Sequence, residues 1–508
     1  MNEIKAFLED HGLINNKEDK KFENNALRSL VLQLMLNKKR DEASELLVGE
    51  LKRRNKFYAV RDDDRKELWI YSKGIYVPNG ATYVQEFCRD ILEETYTTHF
   101  SNLIIDKIRA DSFIDPDEFF KHNNKEEIAV ENGIVNIYTK ELKDFNPDKI
   151  FFQKIPVIFD ESKDCPAIKG FVKGITEDEK DALVVQELFG DLLHKEYKFE
   201  RCFMWLGDGR NGKSKLAELM KRFVGVKSCC SIHPSALEDP ESFSISNFFG
   251  KLANISLDIN STALRNISMI KSLSGRDLIS APRKFKTPIE FENYAKMIFG
   301  ANQLPMTFDT KDSFWERWIL LQFPYTFISE DRMEKVPENL RHKFKIRDND
   351  IIEKITTDDE MSGLLNYALQ GFERLNKNGK FSYKYTPEEV KTLWIMKSDS
   401  FSAFFLTYLE HDYDGKIRKT DIRKYYADFC RKNKLRTMSD KMIKRKMQDE
   451  GIIDDELRHG TTSESFWYGV KIKDKYGEVD EFNYSKMKEF ESQVKLSFTK
   501  KIIEEELI

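Results

Sequence analysis

Residues 207–214 read GDGRNGKS, and their types and spacing carry the most specific chemistry in the sequence. Glycines let a backbone turn tightly so that its N–H groups face a row of phosphates, and a lysine ammonium in the turn neutralises the outer phosphate oxygens. A serine hydroxyl directly after the lysine is a hard oxygen ligand suited to Mg²⁺. The pattern predicts a P-loop for ATP and Mg²⁺; the alternative is a chance glycine-rich turn. The predicted nucleotide-binding residues are Gly207, Asp208, Gly209, Arg210, Asn211, Gly212, Lys213 and Ser214.

The segments on either side of this loop have the pattern that a phosphate-binding loop needs. Residues 203–206 are an apolar run typical of a buried strand, and Leu216, Leu219, Met220 and Phe223 recur at helical spacing. A strand would therefore lead into the loop, and a helix would begin under the phosphates, where its first N–H groups attract anions.

Two further polar residues follow predicted strands. Residues 252–257 are a strand candidate that ends at Asp258, and residues 295–301 are another that leads into Asn302. A carboxylate at such a place positions Mg²⁺ or water, and an amide holds a phosphate or the attacking water. The sequence thus predicts that Asp258 joins Ser214 as a metal ligand. The alternatives are that Asp258 caps the following turn and that Asn302 is an ordinary turn residue.

Arg317 lies just before another apolar run, residues 319–321. A guanidinium there can stabilise the charge of a transferring phosphoryl group, as an arginine finger does; the alternative is a structural ion pair. The loop, the acid, the amide and the arginine all lie within residues 207–317, which is one compact domain. Because such a domain cannot surround a nucleotide by itself, the sequence predicts that Arg317 acts in trans within an oligomer.

Four stretches of this region are similar to the superfamily-3 helicase domain of phage and plasmid primase-helicases, including the poxvirus-type proteins. They are GDGRNGKS, GKLANISLDINSTALRN (250–266), KSLSGRDLISAPRKFKTPIEFENYAKMIFGANQLP (271–305) and DSFWERWILLQFP (312–324). The resemblance implies ATP hydrolysis, hexameric rings and translocation on single-stranded DNA, usually 3′ to 5′. The predicted catalytic residues are Lys213, Asp258, Asn302 and Arg317. The chain departs from the family in two ways: Asp258 lacks an adjacent second acid, and Glu316 precedes Arg317 where the family often has two arginines.

Residues 281–291 contain two extended segments that meet at Lys284, Phe285 and Lys286. In the resembled family, a hairpin at this place lines the pore of the ring and grips DNA. Lysines for phosphates and an aromatic ring for a base or sugar suit contact that is independent of sequence. These three residues are therefore predicted to bind DNA, and the alternative is a solvated loop.

The C-terminal unit, residues 398–473, resembles the winged-helix domain that follows such motors. Ser439 is the predicted cap of a basic helix, and residues 464–472 form the predicted wing. A basic recognition helix suits phosphate and groove contacts, and the alternative is a solvated basic face. The predicted DNA-binding residues of this helix are Lys441, Lys444, Arg445 and Lys446.

The composition limits the ways in which the chain can bind DNA. Charged residues make up 33% of the sequence, but the formal net charge is only -4, so any DNA contact must come from local basic patches. No apolar stretch predicts a signal peptide or a membrane span. The six cysteines have neither CxxC nor zinc spacing, so they are interpreted as reduced thiols of a cytoplasmic protein.

The predicted fold class is multidomain α/β, with an AAA+-like P-loop NTPase core, an N-terminal α+β domain and a C-terminal winged helix. Within the N-terminal domain, residues 24–53 predict a helix, and residues 70–77 and 128–137 predict strand pairs. The domain has too few residues for a primase, so no primase activity is predicted. The predicted domain boundaries are 1–160 for the N-terminal domain, 161–380 for the motor, 381–475 for the winged helix and 476–508 for a charged tail.

The predicted function is that of an ATP-dependent replicative DNA helicase of a phage, plasmid or mobile element. It would act as a homohexamer on single- and double-stranded DNA, with a primase or host replication proteins as candidate partners and no membrane. Two alternatives stay open. One is an origin-binding or loading ATPase, and the other is a nucleotide-switched DNA-binding scaffold with little hydrolysis.

Overall fold

The computed structural model describes residues 16–61, 67–121, 124–207, 209–259, 264, 266–284, 286–307, 311–432, 435, 437–459 and 462–473. Within these ranges the chain is a mixed α/β, multidomain protein. Two predicted site residues, Asp208 and Phe285, lie outside the described residues, as do the side chain of Lys286 and the tail predicted for 476–508. No helix within the described ranges has the length and apolar character needed to cross a membrane.

Helices and a four-stranded sheet of order β3-β2-β1-β4 share an apolar core in the N-terminal part. The predicted strand pair at 70–77 is confirmed as β2 and β3, which turn back with Ser72 opposite Ile75. The helix predicted for 24–53 is instead two helices, because the chain turns at Lys38, whose φ is 62°. The elements are α1 (Asn16–Leu36), α2 (Arg40–Arg54), β1 (Phe57–Val60), β2 (Leu68–Ser72), β3 (Ile75–Val77), α3 (Gly80–Leu92), α4 (Thr98–Asp111), β4 (Phe113–Ile114) and α5 (Pro116–Lys121).

A second small sheet follows, with three antiparallel strands in the order β5-β6-β7. The strand pair predicted at 128–137 is confirmed here, since Val130 lies opposite Gly133 across the turn. The strands are β5 (Glu127–Val130), β6 (Gly133–Asn136) and β7 (Leu142–Lys143).

The central sheet has five parallel strands in the order β14-β8-β13-β10-β9. Its inner strands, β8, β10 and β13, are buried at every residue, which is typical of strands covered on both faces. Alternate residues of β8 confirm this, because Phe203 and Trp205 enter one apolar core while Cys202 and Met204 enter another. The elements of this region are α6 (Pro166–Ile175), α7 (Glu179–Asp191), β8 (Cys202–Leu206), α8 (Lys213–Val224), β9 (Cys229–Cys230), β10 (Ala253–Ser256), α9 (Ser268–Ser274), β11 (Leu278–Arg283), β12 (Lys286–Glu292), β13 (Lys296–Ala301), α10 (Asp312–Trp315) and β14 (Trp318–Gln322).

The chain beyond the central sheet returns to cover it. A short parallel pair, β15 and β16, lies beside the glycine-rich loop, and helix α13 packs against α7 in the core on one face of the sheet. Thr357 caps α13, since its side chain accepts a hydrogen bond from the backbone N–H of Glu360. The elements are β15 (Thr326–Ile328), α11 (Glu330–Met333), β16 (Phe344–Ile346), α12 (Ile351–Ile355) and α13 (Asp358–Asn378).

The C-terminal part combines helices with a three-stranded antiparallel sheet of order β17-β19-β18 around its own apolar core. Helix α14 joins it to the central region, because the indole N–H of Trp394 donates to the carbonyl of Pro305 at 2.7 Å. The elements are α14 (Pro387–Ser398), α15 (Ser400–Tyr408), β17 (Leu409–Arg418), α16 (Lys419–Lys432), α17 (Asp440–Asp449), β18 (Ile453–His459) and β19 (Thr462–Ile472).

Candidate nucleotide site and nucleic-acid interface

The carboxyl ends of β8, β10 and β13 lie at one edge of the central sheet. Backbone hydrogen bonds continue beyond the strands, because the N–H of Gly207 donates to the carbonyl of Ala301 at 3.3 Å and that of Ile259 donates to the carbonyl of Gly300 at 2.9 Å. The residues that follow all three strands therefore share this edge. In open parallel sheets, ligands bind outside the carboxyl ends of the strands.

Lys213 and Asn302 meet at this edge. Lys213 begins α8 and is only 4% exposed. Its Nζ donates to the carbonyl of Gly207 at 2.5 Å and to Oδ1 of Asn302 at 3.3 Å. The ammonium thus joins the start of the glycine-rich loop to the end of β13, and two residues that are 89 positions apart in sequence become neighbours.

The loop conformation depends on its glycines. A Cβ atom on Gly207 would lie 1.8 Å from Nδ2 of Asn211, and one on Gly212, whose φ is 92°, would lie 2.6 Å from Cγ2 of Ile175. Asn211 is 3% exposed, and its Nδ2 has no hydrogen-bond partner within the part of the chain that the structure describes. Because a buried donor without a partner is costly, this amide suits an oxygen of a bound phosphate.

Ser214 and Asp258, the two predicted metal ligands, are both exposed at the same edge. Ser214 is the second residue of α8, and Asp258 lies two residues beyond β10 with a φ of 57°. The described ranges hold no group of three or more His, Cys, Asp or Glu side chains that would form a protein-only metal site. A hydroxyl and a carboxylate fit Mg²⁺, which usually takes one or two protein oxygens together with phosphates and water.

Arg317 lies at the amino ends of the strands, whereas the loop lies at their carboxyl ends. Its carbonyl accepts from the N–H of Cys202 at 2.6 Å, so it stands beside the first residue of β8. The guanidinium donates through Nη1 to the carbonyl of Ser313 at 2.6 Å, and its Nη2 lies 3.7 Å from Glu200. The five residues of β8 separate Arg317 from the loop of the same chain by roughly 17 Å.

A second arginine that the sequence analysis did not select lies beside Arg317. Arg276 donates through Nη2 to the carbonyl of Lys198 at 2.8 Å, and a Cβ on the preceding Gly275 would be 3.7 Å from Nη2 of Arg317. Arg276 itself has a φ of 62°. No local pattern could have indicated that the two arginines are neighbours, because they lie far apart in the sequence.

The predicted hairpin between Asp258 and Asn302 is present as β11 and β12. The two strands pair in antiparallel register, with Arg283 opposite Lys286, and Lys284 is exposed in the turn. One face of the hairpin is buried and includes Ile279 and Phe291. The tip therefore projects from a packed base.

The hairpin base also contacts the N-terminal region through aromatic rings. Phe249 packs edge to face on Phe291 of β12, with ring centroids 5.6 Å apart, and also on Phe120 at 5.7 Å. Phe120 in turn packs on Trp69 of β2. These contacts connect the N-terminal sheet to the hairpin.

The basic helix predicted in the C-terminal part is α17, and its four cations are not equivalent. Lys444 Nζ lies 2.8 Å from the carboxylate of Asp454, and Lys446 Nζ lies 2.5 Å from that of Asp399. Hydrogen bonds from Lys444, together with Lys419, lower the pKa of Asp454 to about 2. The other two cations, Lys441 and Arg445, are exposed and form no ion pair with the described residues.

A buried ion pair lies at the amino edge of the sheet. Lys296 begins β13, is fully buried, and stands 3.6 Å from Asp191 while donating to the carbonyl of His194 at 2.9 Å. Burial raises the pKa of Asp191 to about 6, although the Lys296 ammonium opposes the shift. Burial and the same ammonium lower the pKa of His194 to about 3. The network holds the end of α7 against β13.

Two families match separate parts of the chain. Residues 205–317, which include the glycine-rich loop and Arg317, match a family of unknown function, DUF5906. Residues 16–177 match a family described as D5 N terminal like.

Curated relatives come from viruses and a virophage. A putative helicase of Acanthamoeba polyphaga mimivirus is 26% identical over 396 residues, which cover 73% of this chain and 38% of the relative. A putative helicase of Invertebrate iridescent virus 3 is 24% identical over 327 residues, covering 58% and 34%, and one of Sputnik virophage is 22% identical over 300 residues, covering 56% and 37%. The chain spans little more than a third of the length of these relatives.

Among solved structures, an apo form of the C-terminal region of NrS-1 is 11% identical with a TM-score of 0.44, covering 83% of this chain and 98% of that one. The two family matches and the viral relatives together fit a phage or viral primase-helicase family.

Proposed function

We propose that the chain is an ATP-driven DNA helicase of the superfamily-3 type that acts in the replication of a viral, phage or mobile-element genome. The observation that carries the proposal is the contact of Lys213 with Asn302, next to an exposed Asp258, at the carboxyl edge of a parallel sheet. The viral relatives described as putative helicases support it.

The arrangement suits phosphoryl transfer to water. Lys213 and the loop N–H groups would hold the outer phosphates, and Ser214 and Asp258 would hold Mg²⁺. A bound Mg²⁺ supplies neutralisation of the phosphate charge. Asn302 would orient the γ-phosphate or the attacking water from its place beside Lys213.

The strand order supports an AAA+-like P-loop core. If the parallel strands are numbered along the chain, their order in space is 5-1-4-3-2. The strand that enters the loop therefore lies between the last strand, which Arg317 precedes, and the strand that ends at Asn302. Because these strands are parallel, Asn302, which follows one, lies at the same end of the sheet as the loop, and Arg317, which precedes one, lies at the other end.

The position of Arg317 supports a ring. A guanidinium roughly 17 Å from the loop of its own chain cannot contact the phosphates there. It can contact those of a neighbouring subunit in a head-to-tail assembly, which closes into a ring when the rotation permits. We therefore propose a homohexamer with Arg317 acting in trans.

DNA would contact two parts of the chain. The exposed Lys284 at the hairpin tip, with Phe285 and Lys286 beside it in sequence, suits single-stranded DNA in the pore. The C-terminal part follows the chain order helix, strand, helix, helix, strand, strand, which suits a winged helix with α17 as the recognition helix. Translocation from 3′ to 5′, and a primase or host replication proteins as partners, belong to the same proposal.

Mg²⁺-dependent ATP hydrolysis by the full chain, with and without single-stranded DNA, tests the proposal. Lys213→Ala should lower the turnover rate by at least about a hundredfold, because the phosphate charge loses its nearest cation. Lys215→Ala is the matched control, since Lys215 lies on the same helix but pairs with Glu218 at the surface. Equal rates for Lys213→Ala and wild type would contradict the site, and hydrolysis without duplex unwinding would contradict the helicase.

A further inference from the structure

Three arginines from three different segments line one pocket beside the glycine-rich loop. Arg210 belongs to the loop, Arg332 to α11, and Arg347 follows β16; we call this the arginine pocket. The apolar residues Phe327 and Ile328 also line this pocket. Cations from separate segments that converge beside apolar residues are typical of a binding site and not of a solvated helix face.

The pocket is joined to the loop through the backbone. The N–H of Phe327 donates to the carbonyl of Arg210 at 2.7 Å, and the N–H of Arg347 donates to the carbonyl of Ile328 at 2.7 Å. Arg210 precedes Lys213 by three residues, so its Cα lies within about 11 Å of the lysine's. A nucleotide whose phosphates lie at Lys213 spans that distance.

The charge in the pocket is not compensated within the described part of the chain. None of the three arginines forms an ion pair with another described residue, whereas the neighbouring Asp348 pairs with Lys354 at 2.6 Å. Guanidinium groups bind phosphate through a planar fork and also stack on aromatic rings. Such a pocket suits a ligand that is both planar and anionic.

The pocket volume favours part of a ligand over a whole one. It is about 230 Å³, below the roughly 300–1,000 Å³ of complete small-molecule sites. A larger ligand would place only one part in the pocket, and its other part would lie on the adjoining glycine-rich loop.

We infer that the arginine pocket receives the base and ribose of the nucleoside triphosphate whose phosphates lie on the glycine-rich loop, and that Arg332 and Arg347 determine its affinity for the nucleoside. The inference rests on the proposed function, because it takes the loop to be the phosphate site. Phe327 would lie along the base, and the two guanidinium groups would stack on it or bond to its acceptor atoms.

The test compares two probes on the full chain in the presence of Mg²⁺: ATP, which has a nucleoside, and inorganic tripolyphosphate, which does not. Replacing both residues, Arg332→Ala and Arg347→Ala, should weaken ATP binding by about tenfold or more, because two charged contacts are lost. Tripolyphosphate binding should change by less than about twofold. Both arginines are exposed, so the variant should fold as wild type does.

The matched control is Arg341→Ala. Arg341 lies in the same segment and is exposed, and among the described residues its side chain donates to the carbonyl of Val336 at 3.3 Å, outside the pocket. ATP binding that is unchanged in the double variant, or tripolyphosphate binding that falls as much as ATP binding, would overturn the inference. Failure of the proposed function has a different signature, since wild type and Lys213→Ala would then bind ATP equally well or not at all.

Discussion

Replacing Arg317 by alanine separates a role at a neighbouring subunit from a structural role in the same chain. Among the described residues of its own chain, the guanidinium donates a hydrogen bond to the carbonyl of Ser313 and forms an ion pair at 3.7 Å with Glu200, which is 44% exposed. A hydrogen bond contributes about 0.5–1.5 kcal/mol and an exposed ion pair about 0–1 kcal/mol. The substitution should therefore lower the free energy of unfolding by only about 1–2 kcal/mol.

The expected effect on turnover is much larger. An arginine finger contributes about 10³ to 10⁵ in kcat, which corresponds to roughly 4–7 kcal/mol of transition-state stabilisation. Arg317→Ala should thus abolish measurable ATP hydrolysis while ATP binding changes little, because the residue stands at the far edge of the sheet from its own loop. Steady-state hydrolysis and equilibrium ATP binding on the same preparation measure the two effects.

Glu200→Ala is the control, because it removes the ion pair and leaves the guanidinium in place. Hydrolysis should stay within a few fold of wild type if Arg317 acts on a neighbour. If Glu200→Ala loses as much activity as Arg317→Ala, the arginine serves only the internal ion pair and the reasoning is refuted.

Mixing two inactive proteins tests the geometry. Arg317→Ala subunits keep an intact loop, and Lys213→Ala subunits keep an intact arginine. In randomly mixed head-to-tail rings at equal amounts, roughly one interface in four combines both intact residues. Partial recovery of hydrolysis is expected, and its absence despite demonstrated subunit exchange would contradict action in trans.

Three other predictions concern DNA and pH. Lys284→Ala should reduce the slope of log affinity for single-stranded DNA against log salt by roughly 0.7, measured by a salt titration. Replacing Lys441 and Arg445 together by alanine should weaken duplex binding, measured by fluorescence anisotropy, with little change in basal ATPase rate. The pKa of His194 is lowered to about 3 in the folded chain, whereas it is about 6.5 in the unfolded chain. The neutral imidazole therefore stabilises the fold fully above pH 6.5, and this stabilisation is lost as the pH falls below that value, at about 1.4 kcal/mol per pH unit. The raised pKa of Asp191 acts in the opposite direction, so the pH dependence of wild type alone does not isolate His194. The measurement is therefore the difference in unfolding free energy between wild type and His194→Asn, taken from pH 6.5 to pH 5. A difference that does not change with pH would contradict the role of His194.

The parts of this fold that depend on neighbouring residues could be predicted from the sequence. The strand, loop and helix around Lys213 follow from an apolar run, glycines and helical periodicity within about twenty residues. The hairpin that turns at Lys284 was predictable from two neighbouring extended segments and from the hairpin at the same place in the resembled family. The break of the first predicted helix at Lys38 was missed, because no glycine or proline marks it.

The parts that depend on distant residues could not be predicted. Arg317 lies at the opposite end of the strands from the loop because β14, which it precedes, runs parallel to β8. The direction in which two strands pair is set by the connection between them, so no local pattern indicates it. The pairing of Lys444 with Asp454 and of Lys446 with Asp399 likewise joins separate elements. A basic helix in sequence therefore has only two exposed cations without an ion-pair partner among the described residues.

The positions of the loop and Arg317 at the two ends of the parallel strands suggest how ATP turnover and DNA movement would be coupled in the proposed ring. Arg317, which would respond to the nucleotide of one neighbour, lies against Gly275, and the chain enters the hairpin strand β11 only three residues later. The base of the hairpin is buried, so a shift at Gly275 would move the hairpin as a unit and not only bend its tip. In the proposed ring, the loss of a γ-phosphate in one subunit would then displace the hairpin of the next subunit. Because head-to-tail contacts repeat around the ring, the same step would pass from each subunit to its neighbour in one direction.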